Sequence, residues 1–256
     1  MARENPFRTA LGIGVRFPGP GRAELTMEDC PANRGDDGRV AQGAILTLLD
    51  IALGHAVAAR LPEPSSFATV SLQVVLRADW TAGPLVARGS AGVLAPGWRD
   101  AVAEGSVATA GGQLVATAQG AFARSGSGAV QAAASAEAAA TATSFRELLQ
   151  WQAADGGLTM EVRRQHLNPD GVLHGGAMAA LLDAGMWGAL RRLGAGDLRL
   201  LSFSIRYLLP ARPGTLAVAA DVERHGRRIH FARATARDGE GRLLAAADAT
   251  YVEPGL

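Results

Sequence analysis

The residues best suited to chemistry lie between positions 168 and 183. Asn168 is followed six positions on by His174, then at once by Gly175 and Gly176, and Asp183 stands nine after the histidine. His-Gly-Gly ahead of an apolar run predicts a helix start whose first N–H groups have no acceptor within the helix. Together with the positive end of the helix dipole, such groups can hold a developing oxyanion. Asp183 sits among apolar residues, where a charge is costly unless it is paired or used. A carboxylate in that setting can act as general base or as nucleophile. Taken singly, His174 reads as a cap and Asp183 as a helix aspartate. Together they read as an oxyanion-binding helix start with a carboxylate.

The chain carries these elements twice. Leu25-Thr26-Met27-Glu28 recurs as Leu158-Thr159-Met160-Glu161, an offset of 133 positions. The same offset lays Gly43 on Gly176 and Leu48-Leu49-Asp50 on Leu181-Leu182-Asp183, and pairs Thr69 with Ser202 and Ser71 with Ser204. Further on, Leu114 pairs with Leu243 and Phe122 with Tyr251 at 129. Such a colinear series indicates a duplication. The expected organisation is a first domain over residues 1–123, an Ala/Ser/Gly-rich linker over 124–144 and a second domain over 145–256.

Each copy predicts one strand (22–28; 157–162), a long helix (43–60; 175–193) and a four-strand antiparallel run. The run covers 69–77, 85–94, 101–110 and 113–123 in copy one, and 200–208, 216–224, 229–237 and 242–252 in copy two. One helix lying on one face of an antiparallel sheet makes the fold class α+β. Copy one departs from the motif: Ala41-Gln42-Gly43 stands in place of His174-Gly175-Gly176, and Gly35 in place of Asn168, while Asp50 is retained.

The strand, the His-Gly-Gly helix, the aspartate and the meander resemble the hotdog fold, and the motif spacing resembles the PaaI-type acyl-CoA thioesterases. The likeness covers both copies. It implies hydrolysis of an acyl-CoA thioester, with Asn168, His174, Gly175, Gly176 and Asp183 at the functional positions and coenzyme A as part of the substrate, with no separate cofactor. It also implies two hotdog domains paired within one chain, and association of such chains into a dimer.

Distance decides how the copies combine. Gly175 and Asp183 are roughly 12 Å apart along one helix at about 1.5 Å per residue. A thioester carbon needs its polarising N–H and its carboxylate within about 3–4 Å. Two antiparallel helices meet that need where one helix does not. One composite site would join Asn168, His174 and Gly175 to Asp50, and is expected to be the productive one. The other would join Asp183 to Gln42 and Gly43. The hydroxyls of Thr69, Ser71, Ser202 and Ser204 are candidates for orienting water, and Arg227 and Arg228 for meeting CoA phosphates.

Composition removes other readings. The 256 residues carry a formal net charge of +1, and all 25 basic residues are arginine. A lysine-dependent Schiff base or P-loop is therefore excluded, and the charge balance argues against nucleic acid. A single cysteine, Cys30, excludes an internal disulfide framework. The histidines show no metal-binding spacing, so no metal is expected. The apolar runs are too short and too polar for a membrane span, and a cytoplasmic protein is the expectation. A non-catalytic double-hotdog module that binds acyl-CoA remains the alternative reading, and the acyl group is left open.

Overall fold

The computed structural model describes residues 5–60, 66–78, 80, 82–92, 100–125 and 142–253. Copy one opens with the one-turn helix α1 (Pro6–Ala10) and the hairpin β1 (Ile13–Gly19) and β2 (Arg22–Met27). The long helix α2 (Gln42–Ala58) follows, then β3 (Ser66–Leu76), β4 (Leu85–Ala91), β5 (Asp100–Thr109) and β6 (Leu114–Ser125). Copy two repeats the order with α3 (Phe145–Leu149), β7 (Gln152–Ala154), β8 (Gly157–Val162) and α4 (Gly175–Arg192). It ends with β9 (Arg199–Tyr207), β10 (Gly214–His225), β11 (Ile229–Asp238) and β12 (Leu243–Val252).

The twelve strands among the described residues form one antiparallel sheet in the order β1-β2-β4-β5-β6-β3-β9-β12-β11-β10-β8-β7. The order is a palindrome of equivalent strands, and the two copies join at β3 and β9. The ladders also settle the internal alignment. Thr69 lies opposite Phe122 and Leu200 opposite Tyr251, so Leu200 holds the place of Thr69, an offset of 131 rather than 133. The connection from α4 to β9 is thus two residues shorter than its counterpart, which the similar spacing of Thr69 and Ser71 in β3 and of Ser202 and Ser204 in β9 conceals. Gln73 faces Ser204 across the β3–β9 ladder and marks the pseudo-twofold axis.

Helix α2 is apolar on every side because it is covered on every side. Residues Gly43 to Leu53 are all buried, between the sheet and α4. The helices run antiparallel and approach closely through small residues. A Cβ on Gly176 would lie 2.5 Å from Thr47 Cα, and one on Gly43 2.7 Å from Ala180 Cβ. Bulkier residues at either glycine would force the two helices apart.

The edge strands β1 and β7 and the helices α1 and α3 were not apparent in the sequence. They are short or irregular, and α1 and α3 are held by contacts with the opposite copy. Strand β6 continues to Ser125 and Ser144 caps α3, so the expected linker of 124–144 overlaps ordered structure at both ends, while 126–141 lie outside the described residues. Among the described residues no helix is long and apolar enough to cross a membrane.

Candidate active site

The antiparallel helix pair brings Asp50 of α2 against the start of α4. A Cβ built on Gly175 would meet the two Asp50 carboxylate oxygens at 2.9 and 3.2 Å. Only glycine leaves that space to the carboxylate. Asp50 Oδ1 accepts from the Thr69 hydroxyl at 3.1 Å, and the Gly176 N–H also donates to the carboxylate. His174 caps α4, its Nδ1 accepting from Gly176 N at 3.1 Å, and the same Nδ1 stands 3.4 Å from Asp50 Oδ2. Both side chains are buried.

Burial pushes the Asp50 carboxyl up to about 6, against the lowering effect of its Thr69 and Gly176 hydrogen bonds. It pushes His174 down to about 4, helped by the nearby Arg8 cation. Near neutrality the imidazole is therefore uncharged and the carboxylate ionised. The N–H of Gly175, first in the helix, has no acceptor among the described residues. An unpaired donor on the helix dipole, a carboxylate beside it and a buried setting can activate water or attack an electrophilic carbon.

Sequence reasoning missed three contributors. Tyr207 donates from its hydroxyl to Gly175 O at 2.9 Å and fixes the first peptide of α4. Phe7 of α1 lays its ring 5.6 Å from that of His174. Arg8, next to it, binds His55 Nε2 at 3.3 Å. A signal existed for each. Phe7-Arg8 and Leu11 recur as Phe145-Arg146 and Leu149, and Tyr207 stands where copy one has Leu76 under the ladder alignment.

Around Asp183 and Gln42 the contacts differ from those of the first site. Tyr251 donates to Asp183 Oδ1 at 2.6 Å, where copy one has Phe122. Burial pushes Asp183 up to about 6 as well. The Gln42 side chain accepts from Leu200 N at 3.2 Å and donates to Leu198 O, so its amide is engaged by the backbone of copy two. Gln42 stands at the repeat position of Gly175, and Leu200 supplies no hydroxyl where Thr69 does. Gly43 serves the helix contact, against Ala180 and Phe145.

Other expected positions fall elsewhere. Asn168 Oδ1 accepts from the N–H groups of Asp170 and Val172, which makes it the brace of the loop before α4. Ser71, Ser202 and Ser204 each adjoin a buried, helix-facing residue (Leu72 or Phe203). They therefore point to the opposite face of the sheet and are removed from the water-orienting set. Arg227 and Arg228 are exposed, and Arg228 lines a groove of about 580 Å³ with Arg199, Leu201 and Ile229. Asp50 is not among the residues that line this groove.

Residues 170–245, which contain His174, both glycines and Asp183, match the family model "Thioesterase superfamily". A search of curated proteins finds no match. Among solved structures, the tesB protein of Mycobacterium avium subspecies paratuberculosis superposes with a TM-score of 0.69 at 13% identity, over 97% of this chain and 98% of that one. An acyl-ACP thioesterase from Bacteroides thetaiotaomicron gives 0.59 at 11% identity, over 90% and 98%. A conserved protein with a hot dog fold from Alicyclobacillus acidocaldarius gives 0.59 at 13%, over 99% of both chains. By fold this chain is a tandem hotdog protein along its whole length, with the thioesterase superfamily match in its second copy.

Proposed function

We propose that the protein hydrolyses an acyl-CoA thioester to the free acid and coenzyme A, at the composite site formed by Asp50 and Thr69 of copy one with His174, Gly175 and Gly176 of copy two. The observation that carries this reading is the Asp50 carboxylate lying against the glycine start of α4, across the helix pair. The superfamily match over the same motif supports the reaction class.

The thioester carbonyl oxygen takes the Gly175 N–H, while Thr69 and Gly176 hold the carboxylate in line with the carbonyl carbon. As general base, Asp50 removes a proton from water while the water oxygen bonds to that carbon. The carbonyl electrons move to the oxygen, where the helix start stabilises them. Collapse of the tetrahedral species breaks the C–S bond, and the thiolate takes the proton back from Asp50. As nucleophile, Asp50 would bond to the carbonyl carbon and expel the coenzyme A thiolate as the C–S bond breaks, and water would then cleave the mixed anhydride to the free acid and the Asp50 carboxylate. Either role needs the ionised carboxylate. Asn168 braces the loop, and Asp183 is auxiliary.

The test is release of free thiol from a panel of aryl, short-chain and medium-chain acyl-CoA, by the wild type, Asp50→Asn and Asp183→Asn. Turnover lost only in Asp50→Asn supports the reading. Turnover lost only in Asp183→Asn transfers the chemistry to the other site. Tight binding without turnover by the wild type makes the protein a non-catalytic acyl-CoA binder.

A further inference from the structure

Among the described residues Arg8, at the edge of this site, has no counter-ion. His55 donates from Nδ1 to Ile51 O at 2.9 Å, which leaves Nε2 as an acceptor for Arg8 NH1 at 3.3 Å. This neutral imidazole is the guanidinium's hydrogen-bond partner. The Nε of Arg8 is buried and has no partner among the described residues. The neighbouring Phe7 covers the ring of His174, and the Arg8 charge reaches both His174 and His55.

The repeat supplies an internal control. Arg146 holds the matching place in copy two, beside Phe145, which covers the start of α2. Arg146 pairs with Asp36 at 3.6 Å and lies 4.4 Å over the Trp151 ring. The position matching Asp36 in copy two is Pro169, which has no charge to offer. Among the described residues the same arginine is thus neutralised beside the start of α2 and left unneutralised at the site holding Asp50. A partly desolvated guanidinium with an unused fork of donors is a receptor for a carboxylate or phosphate.

We propose that Arg8 receives an anionic group carried by the thioester substrate, held by the donors that His55 leaves free. The inference rests on the thioesterase reading and specifies its substrate class. The anion has two sources, a carboxylate at the far end of the acyl group or a phosphate of coenzyme A.

A two-by-two ligand set distinguishes them: glutaryl-CoA, valeryl-CoA and the N-acetylcysteamine thioesters of the same two acids. Binding is measured by calorimetry in the Asp50→Asn background, where no turnover is needed, with Arg8 or with Arg8→Gln. The expected result is a weakening by Arg8→Gln at least tenfold larger for the anionic member of one pair than for its neutral partner. If the glutaryl–valeryl difference is the one abolished, the acyl carboxylate is the ligand. If the CoA–acetylcysteamine difference is abolished, it is a phosphate. Equal weakening of all four, or none, overturns the inference while leaving the thioesterase reading intact. Should Arg8→Gln fail to fold, Arg8→Lys replaces it, and absence of any preference for the anionic member of either pair in the Arg8 protein overturns the inference by itself. If the Arg8 protein binds no thioester at all, the underlying reading falls, and this inference with it.

Discussion

Replacing Asp50 by Asn should stabilise the protein while removing its activity. Burial raises the carboxyl from 3.8 to about 6. The folded chain therefore binds this proton more tightly than the unfolded chain does. The stability contribution is fully present below the unfolded value near 3.8 and is lost as pH rises through about 6. A shift of about 2 units at about 1.36 kcal/mol each places the penalty near 3 kcal/mol at pH 8, as an order of magnitude. Asparagine removes that penalty and keeps a carbonyl oxygen for the Thr69 hydroxyl and the Gly176 N–H. At pH 8 the variant should be about 2–3 kcal/mol more stable, or about 5–10 °C in Tm for a chain of this size. At pH 4 the gain should be absent. The rate of thiol release should fall by about 10²–10⁴-fold, the usual contribution of a general base. Wild-type kcat should rise with pH through about 6. Calorimetric scans at both pH values, with the thiol-release assay alongside, test each part. A variant less stable than wild type at pH 8, or equally stabilised at both pH values, would refute the argument that Asp50 is held ionised against its burial.

The other expectations come from the same geometry. Asp183→Asn should give a similar stabilisation at pH 8, because burial also raises Asp183 to about 6, yet keep thiol release within about threefold of wild type, since the Tyr251 contact tolerates an amide oxygen. Gly175→Ala places a methyl 2.9 Å from Asp50 Oδ2; kcat should drop by about 100-fold, the loss expected from displacing a reacting group by about 1 Å, with Tm little changed. Gly43→Ala forces a methyl to within 2.7 Å of Ala180 Cβ and should cost about 1–3 kcal/mol in urea unfolding, as overpacking does.

The sequence alone determined the duplication and the long helix in each copy, and it led to the expectation of a site shared between the copies. Its signals were local: a repeated four-residue string, alternation in the strands, and a helix rise that keeps Gly175 too far from Asp183 for one helix to serve both roles. It also identified Asp50 as the carboxylate facing the intact motif, because His-Gly-Gly is present in only one copy. Tertiary structure decided the rest, since it turns on contacts between residues remote in the chain. The ladders aligned Leu200 with Thr69 and turned Ser71, Ser202 and Ser204 to the far face of the sheet. Asn168 became a loop brace, and the amide of Gln42 closed on the backbone of β9. Helix α1, too short to stand out in the sequence, proved to carry Phe7 and Arg8 to the opposite copy's helix start. A serine in an alternating strand points either way until its partner strand fixes the register, and an arginine has or lacks a counter-ion only once the chain has folded around it.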